Sequence, residues 1–458
     1  MFWTMSQSYK LTRYKVGSKR EFWSLTWPLM LGMMSTTIMM FVDRLFLAQF
    51  DPQALNAAAS AGMAYLVFLV IPIAIASVSE VLVGRLHGRG RLKDVGAAAW
   101  QMVWFGVFLA PIFWIIACFF PNLLFAGTGN EFHETRFFLT LMLFAPVQCI
   151  MIAIAGFFIG IGRVQVVTMT AVIGNIINIV LDYFLIFGSG AFLGWGVIGA
   201  ALSTGIAQIA QVAFLFFLFL RKKNRIIYQT QKFGINYKYL MKGLKIGVPL
   251  GLGHSVETIA HFLFFRIVIS VGFAQMTVVT IVQSLYILIS FIIDAQSKGA
   301  AAIVANLLGA EKKELVKGVL KSSFMLHFYY FLGLAIVIWF FADDLLLMFI
   351  NAQHRQALIT PEFMNTFVIA LLFMGFYFLF DGWAWILMGF LTASGDTKFV
   401  LFVSLVVQWL AYVVPTFFLI GIKQQGADIA WSIITFMSFL SFVSYFWRYY
   451  TGRWLRGF

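Results

Sequence analysis

The sequence predicts an all-α membrane protein: twelve spanning helices in two parallel repeats of six. Three observations carry that expectation. Of 458 residues, 62% are hydrophobic and only 11% are charged, where a soluble chain carries about 25% charged residues. The apolar residues gather into stretches near the ~20 residues that a spanning helix requires. Finally, short sequences recur at a fixed offset between the two halves.

The spans are taken in order. The first six lie near residues 24–46, 61–84, 95–118, 137–161, 164–188 and 195–220. The last six lie near 242–271, 275–304, 317–342, 364–391, 398–422 and 426–448. The expected organisation is an N-terminal segment over 1–23, a first lobe over 24–220, a linker over 221–241, a second lobe over 242–448 and a C-terminal segment over 449–458. The spans hold many glycines and several prolines, which membrane helices tolerate because neighbouring groups re-satisfy the backbone. The N-terminus, Met1 to Glu21, is polar and basic with no isolated apolar core, so it does not read as a secretory signal. Cys118 and Cys149 both fall in apolar segments, which supports neither a disulfide framework nor a thiolate metal site.

The formal net charge of +14 suggests nucleic acid only until its placement is read. The basic residues cluster between spans. With both termini and every even-to-odd connection assigned to the cytoplasm, only Arg136, Arg355 and Lys423 fall outside, and Arg44, Arg266 and Lys298 fall within spans. The other Lys and Arg are cytoplasmic. That bias is the positive-inside signal, and it removes nucleic acid as a partner.

The basic stretch from Arg221 to Lys245 divides the chain near its middle, which prompts a search for repeats. Pro28 in WPLMLG finds Pro249 in VPLGLG, and Gly88 finds Gly309, both 221 residues later. GFFIGIGRVQVV from Gly156 finds GFLTASGDTKFV from Gly389, 233 residues later. The 12 additional residues fall to an outer loop around Asn351–Glu362. Each half has an even number of spans, so the repeats are parallel. Transporters built from repeats keep their sites near mid-membrane and alternate access by rocking.

Ionisable groups in the bilayer are costly and mark ion or substrate paths. Asp43 lies deep in the first span, with Arg44 about 100° around the helix and so not a facing partner. In the fifth span Asn175, Asn178 and Asp182 share one face. Their hard oxygens suit Na⁺, and the same carboxylates could carry a proton. Glu257 in the seventh span shares a face with His254 and His261, while Arg266 faces elsewhere. Proton handling or cation binding suits this stripe better than a metal site, since no further His or Cys partner is evident. Asp294 and Lys298, spaced i, i+4 in the eighth span, read as a buried ion pair. Gln283 precedes them in the same span and is a further polar candidate. Asp381 is surrounded in sequence by Phe376, Tyr377, Phe378, Phe380, Trp383 and Trp385, and rings with a carboxylate suit a lipophilic cation. Glu80 is expected to meet Arg85 or water. No P-loop, metal-binding helix or serine-nucleophile pattern stands in the right context. The chain is therefore expected to be no enzyme, to hold no cofactor and to draw on an ion gradient.

These residues resemble the multidrug and toxic compound extrusion (MATE) family, over nearly the whole chain. The resemblance rests on the PLxLG opening of both halves, FVDRLFLA, GNIINIVLDYFLIFG followed by GVIGAALSTGIAQ, GVPLGLGHSVET and FDGWAWILMGFLTASGDTK. It implies two six-helix lobes around a V-shaped cleft, the MATE/MOP fold. It also implies an antiporter that exports organic, often lipophilic cationic, compounds in exchange for H⁺ or Na⁺. The family's N-lobe cation site lands on Asp43, Asn178, Asp182, the carbonyl of Ala200, and Thr204. The C-lobe acidic pair of NorM-type members lands on Glu257 and Asp381, while Asp at 182 is a DinF-type feature. Pro28 matches a proline at which the first helix bends in some members. Asn175, His254, His261, Arg266 and Gln283 are candidate modulators. The chain departs from the family in a longer loop over Phe187–Trp195, in Arg85 and Asn306 where many members have Gln, and in His254, His261 and Arg266. A monomer in a bacterial inner membrane is the family expectation. A lipid-linked precursor or polysaccharide flippase of the same superfamily is an alternative, kept open by Arg44 and Arg266, and a nucleotide or metabolite exchanger is another.

Overall fold

The computed structural model describes residues 10–189, 192–347 and 360–456. Twelve of its helices are long and apolar enough to cross a membrane. They are α1 (Lys19–Phe50), α2 (Gln53–Gly88), α3 (Leu92–Phe119), α4 (Glu131–Gly160), α5 (Val164–Phe187) and α6 (Val197–Phe219), then α7 (Tyr237–Val271), α8 (Phe273–Gly309), α9 (Lys313–Leu347), α10 (Pro361–Ser394), α11 (Thr397–Ile422) and α12 (Ala427–Tyr450). Between α5 and α6 the backbone forms a short antiparallel pair, Gly188–Ser189 with Phe192–Leu193. The outer-loop insertion placed near residues 351–362 falls, up to residue 359, outside the described residues.

Most of the helices, though not α5 and α6, outrun the apolar stretches that predict them. α2 begins at Gln53, ahead of the expected 61, because Asp51 caps it: its Oδ1 accepts from the Gln53 amide at 3.0 Å. A capping carboxylate followed by Pro52 starts a helix whatever the hydropathy of the next turns. α11 departs from regular geometry, with π-helical turns over Gln408–Val413 and Thr416–Ile422. α1 runs unbroken through Pro28, whose carbonyl accepts from Thr168 Oγ1 at 2.6 Å.

The chain divides into two compact units. The first holds Ser24–Gly251 and Ala302–Lys313, and the second holds Tyr14–Trp23, Leu252–Ala301 and the chain from Glu314 onward. In the first unit, glycines let helices touch at backbone distance, as in membrane bundles generally. A Cβ at Gly156 or Gly160 of α4 would fall 2.8 Å from the amide nitrogen or 2.7 Å from the carbonyl oxygen of Glu80 on α2. A Cβ at Gly199 of α6 would fall 2.2 Å from the Leu185 carbonyl of α5. The repeat leaves its mark here too. A Cβ at Gly88 would meet the Asn306 carbonyl oxygen at 1.9 Å, and one at Gly309 would meet that of Arg85 at 2.2 Å. Gly88 and Gly309 are repeat partners, and so are Arg85 and Asn306, at the same offset of 221. In the second unit, the imidazole of His327 on α9 and the carbonyl of Ser297 on α8 occupy the space beside Gly382 and Gly389 of α10.

Candidate functional sites in the two units

The first site is built on α1, α5 and α6. Asp182 (0% exposed) and Asn178 (1%) are sealed inside the first unit, one turn apart on α5. Asp43 on α1 is close enough to Asp182 for their charges to interact. Its Oδ1 is buried with no hydrogen-bond partner among the described residues. Asn175 fixes the α1–α5 register by donating to Ser35 Oγ at 3.0 Å and Thr36 Oγ1 at 3.1 Å. From α6, the Ala200 carbonyl accepts from Ser203 Oγ at 2.8 Å and Thr204 Oγ1 at 3.0 Å. Asn178 Nδ2 reaches both hydroxyls at 3.4 Å. Ser203 Oγ also hydrogen-bonds Asp182 Oδ1. All five residues of the expected N-lobe site are thus in one cluster, and Ser203 is a sixth member that sequence reasoning missed. One turn beyond Thr204, Gln208 Nε2 lies 3.4 Å from Gln148 Oε1, which also accepts from Tyr65 Oη at 2.7 Å.

The hydroxyl of Ser203 has one hydrogen and faces two acceptors, the Ala200 carbonyl and the Asp182 carboxylate. The Ala200 carbonyl also accepts from Thr204 Oγ1, so the count closes in two ways: an ionised Asp182 accepts from Ser203, or a protonated Asp182 donates to Ser203 Oγ while Ser203 donates to Ala200.

The second site lies in the second unit. Asp381 on α10 is buried, and Tyr286 Oη of α8 donates to its Oδ2 at 2.6 Å. Tyr286 stands against Tyr377 with ring centroids 4.7 Å apart, and Tyr377 stands against Trp431 at 6.0 Å. Glu257 on α7 lies 3.6 Å from His254 Nδ1. The His254 ring stacks on Trp385 at 5.5 Å. His261 Nδ1 sits 3.0 Å from the Glu257 carbonyl, so it is the donor there, and its ring packs edge-on against Tyr412 at 5.2 Å. Gln408 Oε1, Tyr412 Oη and Trp431 Nε1 are buried with no partner among the described residues. Gln283 is half-buried one turn before Tyr286.

Two sequence expectations change. Asp294 and Lys298 do not close to ion-pair distance; the ion pairs formed by the described residues include Arg91–Asp94, His254–Glu257 and Arg448–Asp396. The i, i+4 spacing puts the two side chains on one face without enforcing contact between them. Four of the six rings around Asp381 in sequence also pack elsewhere or lie exposed. Trp383 stacks on Phe324 at 5.3 Å, Phe380 packs on Phe439 at 5.1 Å, Phe378 covers His327 at 4.9 Å and Phe376 is exposed. Tyr377 and Trp385 are the two that join the second site. Arg266 is exposed near the end of α7 and forms no ion pair with Glu257.

The chain matches the MatE family model over residues 28–184 and 249–418, more than half its length. It is 23% identical over 402 residues to a probable multidrug resistance protein NorM of Thermotoga maritima, covering 85% of this chain and 83% of that one. It is 22% identical over 441 residues to an uncharacterized transporter, YisQ, of Bacillus subtilis, covering 94% of each. Among solved structures it superposes on an outward-facing multidrug resistance MATE transporter with a TM-score of 0.85, at 18% identity and 99% coverage of both chains. A MOP superfamily transporter from Pyrococcus furiosus, described as having a binding pocket of reversed polarity, gives a TM-score of 0.87 at 17% identity, covering 98% of this chain and 99% of that one. Twelve apolar helices, a repeat centred on the two glycine contacts and a family match spanning both halves agree: the chain belongs to the MATE family of multidrug efflux transporters, multi-pass membrane proteins that are not enzymes.

Proposed function

We propose that this chain is an antiporter that exports organic cations, each export step coupled to inward movement of a proton at the Asp43–Asp182 site. The observation that carries the reading is the pairing of two interacting carboxylates with a hydroxyl, that of Ser203, which can accept from a protonated Asp182 while it donates to Ala200. The same oxygens suit Na⁺, with Asp43, Asn178, Asp182, Thr204 and the Ala200 carbonyl as its ligands, and the experiment below separates the two ions. Two carboxylates at one site repel, so one positive charge bound there relieves the repulsion and shifts α1 relative to α5. The membrane potential favours inward movement of that charge by about 2.3 kcal/mol per 100 mV and opposes export of a monovalent cation equally, so a one-for-one exchange is driven by the ion gradient itself. The second site, with Asp381 and Glu257 beside the rings of Tyr286, Tyr377 and Trp385, offers the anionic and aromatic surface that a lipophilic cation requires. His254 lies against both Glu257 and Trp385 and so occupies part of the surface that a substrate would meet. The protein would work as a monomer in a bacterial inner membrane with both termini cytoplasmic.

The test is dye export from proteoliposomes under a pH gradient alone and then a Na⁺ gradient alone. Export under the pH gradient, lost in Asp43→Asn with folding intact, supports the reading. Export under Na⁺ alone replaces the proton by Na⁺, and full-rate export in the Asn variant removes Asp43 from the site. Arg44 and Arg266, both exposed within spans, favour the flippase reading; lipid scrambling without dye export in the same vesicles would establish it.

A further inference from the structure

His327 on α9 is fully buried (0% exposed), and the transport reading leaves it without a role. Both ring nitrogens are engaged. Nδ1 lies 3.1 Å from Oε1 of Gln296 on α8, and Nε2 lies 2.9 Å from the carbonyl oxygen of Phe378 on α10. Both neighbours are acceptors, so both nitrogens would need a proton and the ring a positive charge. A buried charge without a carboxylate partner is costly. Gln296 resolves the conflict. Its Nε2 is buried with no partner among the described residues. The two ends of an amide have the same shape and exchange by a half turn of the last side-chain torsion. That turn aims the NH₂ group at Nδ1 and leaves a neutral ring whose Nε2–H donates to Phe378.

The turn of α10 held in this way is the one that carries Asp381. The imidazole also lies against Gly382, where a Cβ would fall 2.1 Å from Nε2 and Cε1. Phe378 and Gly382 are one turn apart and share the face toward α9, and Asp381 projects roughly a quarter turn around the helix from it. There it receives the Tyr286 hydroxyl at 2.6 Å. One group therefore holds the turn by its backbone and another meets its carboxylate. We infer that His327 is a positioning residue: its neutral Nε2–H form, oriented by Gln296, sets the rotation of α10 that aims Asp381 at Tyr286. The inference rests on the reading of Asp381 as a ligand-binding carboxylate.

The experiment uses full-length protein in lipid vesicles, with tetraphenylphosphonium as the probe. The variants are Asp381→Asn, His327→Leu and His327→Gln. Glutamine keeps an amide donor near the place of Nε2–H, and leucine keeps only bulk. Asp381→Asn identifies the infrared band of the Asp381 carboxyl by removing it. His327→Leu should shift that band and weaken probe binding about fivefold, the scale of one hydrogen bond. His327→Gln should return both to within about twofold of the parent. An unshifted band in folded His327→Leu, or a Gln variant as impaired as the Leu variant, overturns the inference and leaves His327 as packing. Unchanged probe binding in Asp381→Asn instead removes Asp381 from the binding site, and the band shift still decides the role of His327. Where His327→Leu does not fold, Gly382→Ala displaces the same ring and is read in the same two ways.

Discussion

Ser203 has a single hydroxyl hydrogen for two neighbouring acceptors, so it can accept from a protonated Asp182 or donate to an ionised one. Replacing it by alanine leaves a buried carboxyl with one partner fewer, which costs about 1–3 kcal/mol. Ser203→Ala should therefore slow proton-driven dye export by roughly tenfold, while Ser203→Thr, which restores a hydroxyl, should recover most of the rate. Initial export rates after a pH jump check this, and an alanine variant at the parental rate would take Ser203 out of the site. The residue was invisible in the sequence for a physical reason. Hydroxyls in membrane helices routinely bond back to their own helix, as Thr36, Thr140 and Thr170 do here, so another Ser carries no signal. A carboxylate in the bilayer does carry one, which is why Asp43, Asp182, Glu257 and Asp381 were legible. Tyr286 and His327 were not, because a lone ring in an aromatic-rich span is ordinary until its partner is located.

At the scale of elements, hydropathy located every span but not its ends, because caps and small residues extend a helix without adding hydrophobicity. Asp51 before Pro52 shows this at the start of α2. Close helix pairs were likewise hidden, since a glycine that admits a neighbouring backbone looks like any other. The α5–α6 pair gives the test. A Cβ at Gly199 would sit 2.2 Å from the Leu185 carbonyl, a backbone atom that can yield only if the helices part. Gly199→Ala should destabilise the protein by about 1–3 kcal/mol. It should also slow export, because Ser203 lies one turn further along the same helix. Gly234→Ala is the control, since nothing lies within 4 Å of its added Cβ. Thermal melts followed by tryptophan fluorescence should show a lowered midpoint for Gly199→Ala alone, and equal melts would mean that α5 and α6 are not held at this contact.

Across the whole molecule, the repeat was legible as an offset and unequal in its chemistry. Asp43 falls opposite Phe264 and Glu257 opposite Thr36. Asn175, which holds Thr36 in the first unit, falls at the later offset opposite Gln408, in the π-helical part of α11. The halves therefore reuse one scaffold for an oxygen-rich cluster in one and an acidic, aromatic surface in the other. What the repeat keeps is the glycine contact. Gly88 rests on the Asn306 carbonyl and Gly309 on that of Arg85, so one crossing of α2 and α8, within the first unit, is closed twice by the same motif. Either glycine replaced by alanine must separate the two helices locally, and that separation also makes room for a second Cβ at the partner position. Gly88→Ala and Gly309→Ala should each destabilise the protein, and the double variant should lose less than the sum by about 0.5–3 kcal/mol, the range for residues sharing one contact. Melting of the three variants in the same detergent closes the cycle. Additivity within about 0.5 kcal/mol would show that the two contacts yield independently, and the reciprocal crossing would then be a trace of duplication rather than a single mechanical joint.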